Sequence, residues 1–200
     1  MTWKFKKVAN IDPDILDQNL QYIAGLMDGE GTFAIRITGK DNHHFTPMIE
    51  ISMSHEESIR FVANIFGVSY DKVRAKEKYH KDMYRVLVTT EREIRQIAEA
   101  LLPYSITKKE QIELLLEFSK LKDTFPGGKY DSRCKEILLE MIDVFIELKK
   151  RNVRGKPPNY EAIRKHWRLK LLARVVSLKV ANVPLFVDLP KQISSTARSA

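Results

Sequence analysis

The sequence predicts an α+β domain in which one four-stranded antiparallel sheet is covered by helices on one face and open on the other. Three observations lead there. The elements run helix, two strands, helix, two strands, then helices. The four strand segments alternate apolar and polar residues, the pattern of a sheet buried on one side only. The polar positions of those strands are mostly basic, so the open face has a marked charge.

Each element has a local reason. Residues 17–29 read as a helix with Asp17 as N-cap and Leu20, Ile23, Leu26 and Met27 as apolar positions. Thr32 to Thr38 alternates, with Phe33, Ile35 and Ile37 inward and Thr32, Ala34, Arg36 and Thr38 outward. A polar loop, Gly39 to Thr46, and Pro47 lead to a strand where Ile49, Ile51 and Met53 alternate with Glu50, Ser52 and Ser54. A helix over about Glu56 to Phe66 ends at Gly67, a C-terminal cap. Lys72 to Lys78 forms a strand with Lys72, Arg74, Lys76 and Lys78 on one face. After a turn near Tyr79 to Lys81, Met83 to Val88 places Tyr84, Val86 and Val88 inward and Met83 and Arg85 outward. Helices follow over Glu91–Leu102, capped by Thr90 and stopped by Pro103, then Thr107–Leu121 and Ser132–Lys150. Arg151 to Asn159, with Gly155, Pro157 and Pro158, is a linker to a last basic helix at 160–176.

Composition narrows the function. The 200 residues are 44% hydrophobic and 30% charged, enough for a core. No apolar run is long enough for a membrane span, and the basic N-terminus lacks the apolar stretch of a signal peptide. Cys134 is the only cysteine, which excludes an intrachain disulfide and a cysteine-based zinc site. These features describe a soluble intracellular protein without a membrane partner, cytoplasmic if the source is prokaryotic. The net charge of +8 is uneven. Residues 151–200 hold 11 Lys/Arg against Glu161 and Asp188, a net of +9, which leaves −1 for residues 1–150. The chain thus divides into a core at 1–150 and a basic extension at 151–200. Such an extension suits a polyanion. So does the open face, where Arg36, Lys72, Arg74, Lys76, Lys78 and Arg85 are opposed by Glu50 alone.

Residues 22–31 read Tyr-Ile-Ala-Gly-Leu-Met-Asp-Gly-Glu-Gly. Gly25 and Gly29 lie four apart on one helix face, with Ala24 beside them. Each interior glycine costs about 1 kcal/mol relative to alanine. Close approach by another helix is the usual compensation; simple packing is the plainer alternative. Glu30 and Gly31 follow at once, so an acid is held at the end of the helix. Two such helices paired about a two-fold axis bring two acids together, which divalent cations between them make favourable.

Ile23-Ala-Gly-Leu-Met-Asp-Gly-Glu-Gly31 resembles the LAGLIDADG motif of homing endonucleases, matching at Ala24, Gly25, Leu26, Asp28 and Gly31. The element order over about 17–121 is similar to the family's αββαββα core, and residues 122–200 carry no matching motif. One motif copy resembles the single-motif, homodimeric branch. The resemblance implies a site-specific, intron-homing double-strand DNA endonuclease with Mg²⁺ at the dimer axis, Mn²⁺ or Ca²⁺ substituting for binding. It implies Ala24, Gly25, Asp28 and Gly29 at the dimer interface, with Asp28 mainly structural. Glu30 and the Gly29 carbonyl would hold the metal, although the family commonly has Asp where Glu30 stands. Lys108, with Lys109 as the other register, and His55 would serve catalysis; for His55 a helix cap is the alternative. Thr32, Arg36, Glu50, Ser52, Lys72, Arg74, Lys76, Lys78, Met83 and Arg85 would meet a long pseudo-palindromic DNA target in the major groove. Arg164, Lys165, Arg168 and Lys170 of the last helix would extend the phosphate contacts or pack on the partner subunit. An RNA maturase that assists intron splicing and a non-catalytic DNA-binding protein are the rival functions.

Overall fold

The computed structural model describes residues 12–38, 44–75, 81–124, 132–152, 159–162, 164–166 and 168–169. Pro13 opens the first helix, α1 (Pro13–Glu30), one turn earlier than the apolar periodicity suggests. Proline fits the first helical position, where its missing N–H has no intrahelical acceptor. Asp12 is therefore the N-cap, accepting from the Asp14 N–H at 2.9 Å. Asp17, expected at the cap, lies inside the helix and accepts from the Tyr104 hydroxyl.

Strands β1 (Gly31–Thr38) and β2 (His44–Met53) follow, then helix α2 (Glu56–Phe66). Gly67, at φ 69°, closes α2 as the sequence predicts. Strands β3 (Asp71–Val73) and β4 (Met83–Val88) precede helices α3 (Glu91–Leu101), α4 (Lys109–Asp123) and α5 (Ser132–Arg151). Residues 160–162, 164–166 and 168–169 are helical; the rest of the predicted last helix, Lys170 included, lies outside the described residues.

The sheet is antiparallel in the order β1-β2-β4-β3. Phe33, Ile35, Ile49, Ile51, Val86 and Val88 line its covered face, all buried. Against them pack Leu20, Ile23, Ala24 and Met27 of α1, with Ile59, Val62 and Phe66 of α2 and Ile94, Ile97 and Leu101 of α3. Phe118 of α4 and Phe145 of α5 meet Phe45 with ring centres 6.2 and 5.5 Å apart. The Asn152 side chain donates to the Phe33 carbonyl at 2.7 Å, closing the edge strand β1 at the end of α5.

Register changes the charge map of the sheet. Directly paired residues share a face. Lys72 pairs with Tyr84, and Asp71 with Arg85. Lys72 is therefore on the helix side, at the margin, where it bonds Asp82 at 2.9 Å and lies 5.6 Å from the centre of the Tyr84 ring. This corrects its assignment to the open face. Arg74 is exposed but follows the three-residue β3 instead of lying within a strand; Lys76 and Lys78 are outside the described residues. The open face carries Asp71 as well as Glu50, opposite Arg85 and near Arg36, so its expected near-uniform positive charge is also corrected.

Candidate active site

Helix α1 delivers two acids to its end and orients them differently. The Asp28 carboxylate turns toward the start of α4. It accepts from the Ser105 hydroxyl at 2.5 Å and from the N–H groups of Ile106, Thr107 and Lys108 at 2.7, 3.1 and 3.2 Å. Burial raises its pKa, but these four donors together outweigh that and hold it below the ordinary aspartate value. The cluster of N–H groups ahead of a helix is an anion cradle, here filled by the chain's own carboxylate.

Glu30 is the last residue of α1 and is exposed. Its carboxylate has no hydrogen-bond or ion-pair partner among the described residues. The backbone that carries it is nonetheless fixed. The Gly31 N–H caps the helix on the Met27 carbonyl, and the Lys108 ammonium donates to the Met27 carbonyl at 2.9 Å and to the Gly31 carbonyl. Lys108 thus grips the chain on both sides of Glu30. Gly31 itself has no room for a side chain: a Cβ would stand 2.6 Å from Met27 Cε and 2.7 Å from the Met27 carbonyl oxygen.

Gly25 and Gly29 are different. Both are exposed, and a Cβ on either meets nothing within 4 Å. Among the described residues nothing requires them to be glycine. Tyr22, on the same outward stripe, is 52% exposed. Ala24, expected at the interface with them, is fully buried in the chain's own core, a correction that follows from its position one residue round the helix. Asp28 commits its side chain to the segment ahead of α4, in keeping with the mainly structural role expected of it.

His55 caps α2. Its Nδ1 accepts from the Ser58 N–H at 3.3 Å, which leaves Nε2 to carry the ring proton in the neutral form. The structure uses this side chain as the cap of its own helix, the alternative that the sequence offered. On the open face, Thr32 is directly opposite Glu50, and Ser52 opposite Arg85. Arg36 bonds Glu50 at 2.8 Å. In the last helix, Arg164 bonds Asp143 of α5 at 2.8 Å and so anchors the helix instead of facing outward; Lys165 and Arg168 are exposed. Sequence reasoning missed Ser105, Asp71 and Asp82. The last two flank the basic segment 72–81, a sign of cross-strand pairing that needs the register to interpret.

Oxygen donors of the kind a hard divalent cation takes are present at Glu30 and the adjacent Gly29 carbonyl. Among the described residues no group of three or more His, Cys, Asp or Glu side chains could hold a metal ion. The described residues of one chain therefore offer Glu30 and the Gly29 carbonyl as oxygen donors and no larger cluster of such side chains. No described helix is long and apolar enough to cross a membrane.

Residues 23–120 match the family model described as LAGLIDADG endonuclease. The fold is similar to that of the homing endonuclease I-CvuI, solved with its target in the presence of Ca (TM-score 0.59, 16% identity, 80% of this chain and 98% of that one). It is equally similar to the archaeal intron-encoded homing endonuclease I-Vdi141I complexed with DNA (TM-score 0.59, 19% identity, 79% and 99%). Against the LAGLIDADG homing endonuclease I-LtrWI bound to target DNA, the TM-score is 0.53 at 16% identity, and the match spans 74% of this chain but 48% of that one. No curated protein matches the chain.

Proposed function

Since residues 23–120 belong to the LAGLIDADG endonuclease family, we propose that the protein is a site-specific double-strand DNA endonuclease that acts as a homodimer with divalent metal at its axis. The observation that carries this reading is the end of α1. An exposed carboxylate, without a partner among the described residues, follows two glycines on α1 that the packing of those residues does not require. A second α1 packed against that stripe explains the glycines and brings a second Glu30 to the first. The half-length match to I-LtrWI supports the same count, one unit per chain and two per active assembly.

Glu30 and the Gly29 carbonyl bind the cation, with Mg²⁺ the expected ion. When bound, the cation supplies charge relief at the scissile phosphate and activates water for hydrolysis. Lys108 fixes the backbone on both sides of Glu30, and its charge favours a phosphate at the end of α1. The open face, with Thr32, Arg36, Glu50, Ser52, Met83 and Arg85, lies in the major groove of a long, pseudo-palindromic target. Lys165 and Arg168 extend the phosphate contacts. A purely DNA-binding role fits less well, because an exposed acid without a cation repels the backbone. Two sites related by the axis cut one strand each, and the homing of an intron is the biological setting this chemistry suits.

The test is incubation of the purified chain with a randomised duplex library and Mg²⁺, followed by sequencing of newly formed ends. The expected result is one family of long, near-palindromic sites, cut on both strands, with no cutting in EDTA. Cutting by a chain that sediments as a monomer, or none under any divalent ion, overturns the proposal.

A further inference from the structure

We propose that Glu50 and Asp71 are positioning residues for DNA sequence recognition: each holds an arginine of the neighbouring strand, Arg36 and Arg85, with its guanidinium offered to guanine edges instead of phosphates. This rests on the reading of the open face as the DNA-binding face.

The geometry of the first pair is unusual for a surface ion pair. Arg36 lies opposite Thr46, while Glu50 lies opposite Thr32, four residues further along β2. That offset is about 13 Å of strand. Yet Arg36 Nη2 and Glu50 Oε2 are 2.8 Å apart. Both side chains must therefore extend toward each other along the sheet, over the row formed by Ala34 and Met48. Met48 is only 2% exposed although it belongs to the open face and not to the helix-side core, as expected if the arginine stem lies over it.

Arg85 sits between Ser52 and Asp71. Its Nη2 is 3.6 Å from Asp71 Oδ2, and its Nε is shielded from solvent without a hydrogen-bond partner. A guanidinium has five N–H donors, and one carboxylate contact leaves most of them for a ligand. Guanine offers the N7 and O6 acceptors that suit such a fork.

Stability is a poor explanation for these pairs, because each has a partner about half exposed or more, and ion pairs open to solvent contribute little to it. Recognition explains them better. A fork already held in place loses less freedom on binding. A carboxylate beside each arginine also opposes contact with the DNA backbone, which suppresses sequence-independent binding.

The test binds wild type, Glu50→Gln, Glu50→Asp and Asp71→Asn to a randomised duplex library with Ca²⁺, and sequences the bound fraction. Salt dependence is measured separately on one arbitrary 30-base-pair duplex, roughly a long-site length. Wild type should enrich guanine at two positions in each half-site. Glu50→Gln should lose that preference at one position by about tenfold, and Asp71→Asn at the other. In both, the salt slope should steepen by about 1 as the released arginine finds a phosphate. Glu50→Asp, charged but too short for the span, should lose the same preference as Glu50→Gln. Thermal melting should be unchanged. Arg36→Ala combined with Glu50→Gln should match Arg36→Ala alone; a further loss would mean that Glu50 reads a base by itself and would overturn the positioning role. Unchanged base profiles in the carboxylate variants overturn it too, and leave the nuclease reading intact. A wild type that enriches no sequence defeats both.

Discussion

Asp28 and Glu30 stand two residues apart at the end of α1, one turned into the chain and the other away from it. Around Asp28 everything is committed: four hydrogen bonds from the start of α4, a buried Met27, a Gly31 with no space for a Cβ. Around Glu30 the surroundings are open: a carboxylate unpaired among the described residues and, one and five residues back, Gly29 and Gly25, where a Cβ would meet nothing within 4 Å. The first side has the economy of a folded core. The second contains features that cost stability and return none among the described residues. That contrast separates what holds the helix end in place from what the end is for.

The largest effect expected on either side is at Glu30. Glu30→Gln should lower Mg²⁺-dependent cleavage by about a thousandfold, on the order of 4 kcal/mol of transition-state stabilisation. Its thermal stability should stay within about 0.5 kcal/mol of wild type, as for other exposed substitutions. Cleavage on a selected site and calorimetric melting, measured together, check this. Retained cutting removes Glu30 from the chemistry.

Asp28 should show the reverse pattern. Asp28→Ala leaves three N–H groups ahead of α4 without their acceptor and should cost about 2 kcal/mol of stability. The pH dependence has a definite sign. The folded pKa is held below the unfolded value, so the stabilisation is fully present above about pH 4, the unfolded aspartate value. It is lost as the pH falls below that toward the folded pKa. Urea midpoints between pH 2.5 and 6 should therefore fall more steeply for wild type than for Asp28→Ala. Equal slopes would mean that the carboxylate is not the group that α4 depends on.

Much of this was legible in the sequence because its signals are local. Gly67 after an amphipathic run fixes the end of α2, and the alternation Tyr84, Val86, Val88 gives β4 to the residue. Gly25, Gly29 and Glu30 are conspicuous because two glycines in a soluble helix oppose propensity. What escaped depends on contacts between distant segments. Lys72 alternates in step with a strand, but only its pairing with Tyr84 reveals which face it takes. Ala24 and Gly25 are neighbours in sequence, and a helix turns successive residues about 100° apart, so one is in the core and the other outside. His55 at the end of a strand suits a catalytic or a capping role, and its contact with the Ser58 N–H, which shows the cap, depends on where α2 begins.

The smallest effects sharpen the comparison most, because they substitute the same residue type on the two sides. Gly31→Ala forces a Cβ against the Met27 backbone and should cost about 1–2 kcal/mol of stability, as crowding in a packed site does. Gly25→Ala adds the same atom to open space. For the isolated chain it should be favourable by about 1 kcal/mol, the ordinary glycine-to-alanine gain in a helix. If a second α1 packs there, the gain should come with weaker self-association, seen as dissociation at higher concentration in a sedimentation dilution series. A Gly25→Ala chain that melts higher and associates as tightly as wild type would show that the outward stripe faces only solvent, and the end of α1 would then need another explanation for its glycines.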